Sequence, residues 1–201
     1  MKKIIILLFS SILFFSCKKE NAGFFNGNQN LDSLLLSVEK SKNVNYKIKT
    51  ADKILEHINQ NKLDSISRMQ YMSLARIYLS LNDLKYVEIC DLLISNPIIP
   101  INHQEISFLS FTLGSYYYNI ADYEKSFLNL SKAEKSFTVL NNKYYLCYVI
   151  NTKADILTFK NDYIGAEILA IKSLKIAKEL KNEDLIYSNY LTLGNSLTGL
   201  N

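Results

Sequence analysis

Between Leu31 and Val38, apolar residues fall at Leu31, Leu34, Leu35 and Val38, the three- and four-residue spacing of one helix face. Segments of the same character follow to the end of the chain, separated by short polar groups. They predict helices over Leu31–Lys42, Tyr46–Asn59, Ser67–Leu81, Leu84–Ser95, His103–Ile120, Tyr123–Leu140, Tyr144–Lys160, Tyr163–Leu180 and Asp184–Leu200. Asn96-Pro97 stops the fourth segment, and Pro100 marks a loop. Only 6 Gly and 2 Pro interrupt 201 residues, which favours helix throughout.

The segments are not independent. Gly114, Ala154 and Gly194 are spaced by 40 and 40, and Ala75 precedes Gly114 by 39. ADYEKSFLNLSKAEKSF from Ala121 aligns with NDYIGAEILAIKSLKIA from Asn161. A fixed period of this length is the mark of a repeat architecture. A small residue at each repeat lets a first helix approach its partner closely, and a bulky residue three places on shares that face. Asp83, Asp122 and Asp162 stand at the turns, where a side-chain oxygen can cap the next helix.

Tyr71, Leu74, Ala75 and Tyr78 carry the opening pattern of the tetratricopeptide repeat, and this part of the chain resembles that family. Ser110, Leu113, Gly114 and Tyr117 match except at the first place. Tyr190, Leu193, Gly194 and Leu197 match with Leu last. Ile150, Lys153, Ala154 and Leu157 are the weakest set, with Lys153 where the family has Leu. Ser126 with Leu130, and Ala166 with Ala170, stand at the small and bulky places of the second helices. The resemblance covers roughly residues 68 to 201. It implies an all-α fold, a right-handed α-solenoid of antiparallel helix pairs. The pairs span about 31–59, 67–95, 103–140 and 144–180, with a lone helix at 184–200, so the repeat domain runs 31–201. Leu191, Leu193, Leu197 and Leu200 make that last helix too apolar for an ordinary cap.

The first residues read differently. Lys2 and Lys3 precede IIILLFSSILFF, 12 residues that are too short to span a bilayer comfortably and have the size of a signal-peptide core. Ser16 and Cys17 follow. This resembles the bacterial lipoprotein signal, in which a small residue precedes the cysteine that receives lipid. It departs from that pattern at Phe14 and Phe15. The resemblance implies a signal peptide over 1–16, removed before Cys17. It also implies a lipidated Cys17 and an anchor in the outer membrane of a Gram-negative cell envelope, on the periplasmic face or at the cell surface. Two or three acyl chains at ~0.8 kcal/mol per methylene hold where one does not. Residues 17–30, ending in the polar NAGFFNGNQN, read as the lipidated cysteine and a flexible tether.

Charge adds an exclusion. Lys and Arg total 23 against 19 Asp and Glu, a net charge of +4. Removal of the leader takes away Lys2 and Lys3 and leaves about +2, which makes no electrostatic case for nucleic acid. His57 and His103 are isolated. Cys17, Cys90 and Cys147 lack zinc-site spacing, and the last two read as small buried apolar residues. No phosphate loop, dinucleotide fingerprint or nucleophile elbow is present. The expectation is a non-enzymatic protein without cofactor or metal.

The tetratricopeptide resemblance assigns a groove to first-helix residues: Met69, Met72 and Arg76, then Phe108, Phe111 and Tyr118, then Tyr148, Asn151 and Asp155. Aromatic, Met and Arg side chains on one face are what protein interfaces enrich. Arg76 and Asp155 are expected to be exposed and to give specificity, whereas Phe108 and Tyr148 could equally pack between first helices. The expected function is a lipid-anchored scaffold presenting this groove to a protein or peptide, with self-association through the apolar last helix. Two rivals remain: a truncated sensor segment of a signalling protein, and a nutrient- or glycan-binding outer-membrane lipoprotein.

Overall fold

A computed structural model of the chain describes residues 29–59, 65–96 and 102–200. The leader, Cys17, the tether up to residue 28 and the Pro97–Pro100 loop lie outside the described residues. The described residues form nine helices and no strand: α1 Gln29–Lys40, α2 Val44–Asn59, α3 Ser65–Leu81, α4 Lys85–Ser95, α5 His103–Asn119, α6 Tyr123–Val139, α7 Lys143–Phe159, α8 Tyr163–Glu179 and α9 Glu183–Gly199. The fold is all-α, as the periodicity predicts. None of these helices is long and apolar enough to cross a membrane. Contacts divide the chain into two compact units, residues 1–99 and 100–201.

In the first unit, α3 packs on α1, α2 and α4. Leu74, Ala75, Ile77 and Tyr78 of α3 are buried, so the repeat's small and aromatic positions both face the core. The Tyr78 hydroxyl donates to Asp52 Oδ1 at 2.7 Å, and Lys85 Nζ reaches the same oxygen at 2.7 Å. Asp83 does not cap in the expected way: its Oδ1 accepts from the Lys85 N–H, and Leu84 holds the cap position without a side-chain bond.

The second unit is a helical repeat of closely equal parts. Each of α5 to α9 has 17 residues. Consecutive helices pack together along the series, and α7 also meets α9. The turns are built alike. Ala121, Asn141, Asn161 and Lys181 take positive φ, between 51° and 61°. The next N–H then reaches back over the helix end, as from Asp122 to the Tyr117 carbonyl and from Asp162 to the Leu157 carbonyl, both 2.9 Å. This left-handed stop satisfies carbonyls that the helix end would orphan. The side chain after each stop caps the following helix: Asp122 accepts from Lys125 N–H, Asn142 from Tyr145, Asp162 from Gly165 and Asn182 from Leu185. Asn102 does the same for α5.

Packing inside the pairs follows the small residues. Gly114 is buried, and a Cβ there would lie 2.7 Å from Leu130 Cγ. Ser126 Oγ donates to the Gly114 carbonyl at 2.8 Å, so Gly114, Ser126 and Leu130 meet where the repeat pattern predicts. Ala154, Ala166 and Ala170 are fully buried in the next pair. Gly194 differs: nothing lies within 4 Å of a Cβ placed there, and the close approach expected of it is not made. Beside it, Tyr190, Leu191 and Leu197 are exposed.

Lys153, the residue that breaks the repeat pattern, is buried. Its ammonium reaches Glu134 Oε2 at 2.8 Å and lies 4.5 Å from the Phe127 ring centroid, while Lys172 holds the other Glu134 oxygen at 2.8 Å. A charged pair with an aromatic lid thus occupies the place where the tetratricopeptide pattern has Leu. Cys90 and Cys147 are buried free thiols, as expected, and burial pushes both up in pKa.

Candidate binding site on the first-helix face

The nine groove positions divide between the two units. In the first, Met69 is exposed at 52% while Met72 is buried. Arg76 is not free: its Nε lies 3.4 Å from Glu39 Oε1 on α1, and Nη2 lies 3.4 Å from Ser73 Oγ.

In the second unit the expected residues of α5 and α7 converge. Phe111 packs edge-on against Tyr145 and Tyr148 with centroids 5.8 and 5.7 Å apart, and against Phe137 at 6.2 Å. It is therefore a core ring between first helices rather than a groove contact. Phe108 is buried as well. This burial has a simple cause, since an aromatic ring gains more from burial between neighbouring helices than from an open face. Tyr118 and Tyr148 are half-buried. Tyr118 stands against Tyr123 and Phe159, whose rings stack 5.2 Å apart.

Asn151 and Asp155 lie one turn apart on α7, and α9 meets both. Asn151 Nδ2 donates to Ser188 Oγ at 3.2 Å, and Thr192 Oγ1 donates to Asp155 Oδ1 at 2.7 Å. Both bonds join residues 37 apart, so the two rungs repeat one geometry. Asp155 is half-buried rather than exposed as expected, and Asn151 is buried. Burial raises the Asp155 pKa, and the Thr192 hydroxyl offsets only part of that. The charge of the carboxylate acts on both phenols. Desolvation first, then Tyr144 and the Asp155 charge, push Tyr148 up to about 12. Desolvation and then Asp155 raise Tyr118 as well. Among the described residues no lysine or arginine pairs with Asp155. Glu134, half-buried in the same unit, is met by two lysines.

Ser188 and Thr192 are the site residues that the groove positions did not include. Ser188 lies 40 residues after the groove position Tyr148, so the repeat period points to it, whereas Thr192 lies 40 after Thr152, which is not a groove position. Elsewhere, a shallow apolar recess lined by Phe127, Leu128 and Leu157 is bordered by the Glu124–Lys160 ion pair. Among the described residues no three side chains gather as metal ligands. Comparison with protein-family models, with curated proteins and with solved structures found no match to this chain.

Proposed function

We propose that this chain is a lipid-anchored tetratricopeptide scaffold of a Gram-negative cell envelope. It would be tethered through Cys17 and bind a protein or peptide without catalysing a reaction. The observation that carries the reading is the pair of rungs on which Asn151 and Asp155 meet Ser188 and Thr192, with Tyr118 and Tyr148 under the influence of the Asp155 charge. Two half-buried phenols and one unpaired carboxylate on rigid helices form a recognition surface, since aromatic anchors around a few fixed polar groups are what such surfaces use. Affinity purification from detergent-solubilised membranes tests the reading. A partner held by the unaltered chain is expected to be lost with Tyr118→Ala and with Asp155→Asn. Undiminished recovery by both variants contradicts it.

A second reading concerns α9. Tyr190, Leu191 and Leu197 are exposed beside Gly194, and the corresponding Gly114 is covered by α6. Self-association over this face predicts a concentration-dependent sedimentation coefficient that Leu197→Glu abolishes. A monomer at every concentration rules it out.

A further inference from the structure

We propose that the helix face carrying Tyr118, Tyr148, Asn151 and Asp155 binds a guanidinium, the side chain of an arginine in the partner. This rests on the scaffold reading above and adds the chemistry of what is recognised.

The argument begins with unmet acceptors. An ionised carboxylate offers about four lone-pair sites. Asp155 uses one oxygen for the Thr192 hydroxyl and, among the described residues, has no cation. Asn151 is 8% exposed, and its Oδ1 is buried without a partner while its Nδ2 is spent on Ser188. A buried polar atom left without a bond costs free energy, so natural proteins rarely leave one without reason. Positions four apart on a helix place their Cβ atoms ~5–6 Å from each other on one face. The face therefore holds two acceptor groups, one of them negative, and among the described residues only the Thr192 hydroxyl is seen to donate to them.

The ligand must then be a donor, positively charged and able to span both acceptors. Arginine carries five N–H groups in one plane, with no acceptor to be left unpaired. Its weakly hydrated face also stacks on aromatic rings, and Tyr118 and Tyr148 supply two. A lysine ammonium is a compact, strongly hydrated point that engages one acceptor well and stacks poorly. An anion is refused by Asp155, and a purely apolar side chain leaves Asn151 Oδ1 unbonded.

The test uses the full chain in detergent micelles with ring-labelled tyrosine, read by carbon-13 NMR. Tyr118 and Tyr148 are assigned by Tyr118→Phe and Tyr148→Phe, and the probe is Nα-acetyl-L-arginine amide. The two assigned signals are expected to shift saturably. Nα-acetyl-L-citrulline amide, of the same shape without charge, is expected to bind at least tenfold more weakly. Asp155→Asn is expected to weaken the arginine probe at least tenfold with the other tyrosine signals unmoved. Equal binding of the two probes, unaltered binding by Asp155→Asn, or shifts spread evenly over all 14 tyrosines overturn the inference. Should Asp155→Asn not fold, Asn151→Leu reports on the same face. At least threefold weakening supports the inference and an unchanged titration overturns it. Capture of an envelope protein through this face, with the arginine probe silent, removes the guanidinium and keeps the scaffold. Arginine-specific shifts without any envelope partner do the reverse.

Discussion

Ala121 sits at φ 61°, a conformation that costs an L-residue with a Cβ ~1–2 kcal/mol. Asn at 141 and 161 meets the same requirement better. Ala121→Gly is expected to stabilise the chain by ~1 kcal/mol in urea denaturation, the strain relief exceeding the added freedom of the unfolded state. Gly114 and Gly194 hold the same repeat position and should respond oppositely. Gly114→Ala forces a methyl against Leu130 and is destabilising, while Gly194→Ala meets nothing and gains ~0.5–1 kcal/mol of helix preference. Asp155→Asn belongs to this scale too. Burial raises its carboxyl pKa, so the folded chain holds that proton more tightly than the unfolded one. The ionised form therefore costs stability once pH exceeds the folded pKa. At pH 7 the asparagine variant is expected to melt at higher temperature. Its advantage should vanish below the unfolded value, ~3.9. A stabler variant that loses its ligand is the pattern of a binding residue kept at a cost.

At the scale of elements, helix ends are the most legible feature. Tyr123–Leu140 is predicted and Tyr123–Val139 is found; Tyr163–Leu180 is predicted and Tyr163–Glu179 is found. Asp122 and Asp162 announce themselves because an aspartate at a turn has few other uses. Asn102, Asn142 and Asn182 do the same work and lie midway between them in register, 20 residues from each neighbour. A search for the half-period finds them. That Tyr148, Asn151 and Asp155 share a face was an expectation of the tetratricopeptide resemblance rather than of the period. How deep each residue sits was not legible, because depth depends on how closely α5, α7 and α9 approach, and no local pattern encodes that. Lys153 was misleading in isolation and makes sense only with Glu134. Burial tends to raise the Glu134 pKa, but bonds from Lys153 and Lys172 outweigh it and hold the carboxyl below its usual range. This depressed pKa gives stability above the unfolded value of ~4.3 that is lost as pH falls through the folded one. Glu134→Gln should therefore lose less stability on acidification than the unaltered chain. Glu134→Ala strands the buried Lys153 ammonium and is expected to cost ~2–3 kcal/mol in urea denaturation at pH 7, whereas Lys153→Leu stays within ~1 kcal/mol.

At the scale of the whole molecule, the proposal joins an anchor to a recognition face. Cys17 supplies the anchor in this account. Metabolic labelling with radioactive palmitate is expected to mark the unaltered chain and not Cys17→Ser, which should leave the membrane fraction. In the same account the face supplies the function, and the central claim is that a partner is held there through Asp155. Photo-crosslinking in intact cells tests this most directly, with a photoreactive amino acid at position 118 or, as a control, at the exposed position 171 on α8. The account predicts a discrete protein adduct from position 118 that disappears with Asp155→Asn and does not form from position 171. An adduct from position 118 that survives Asp155→Asn, or none from position 118 at all, would contradict it.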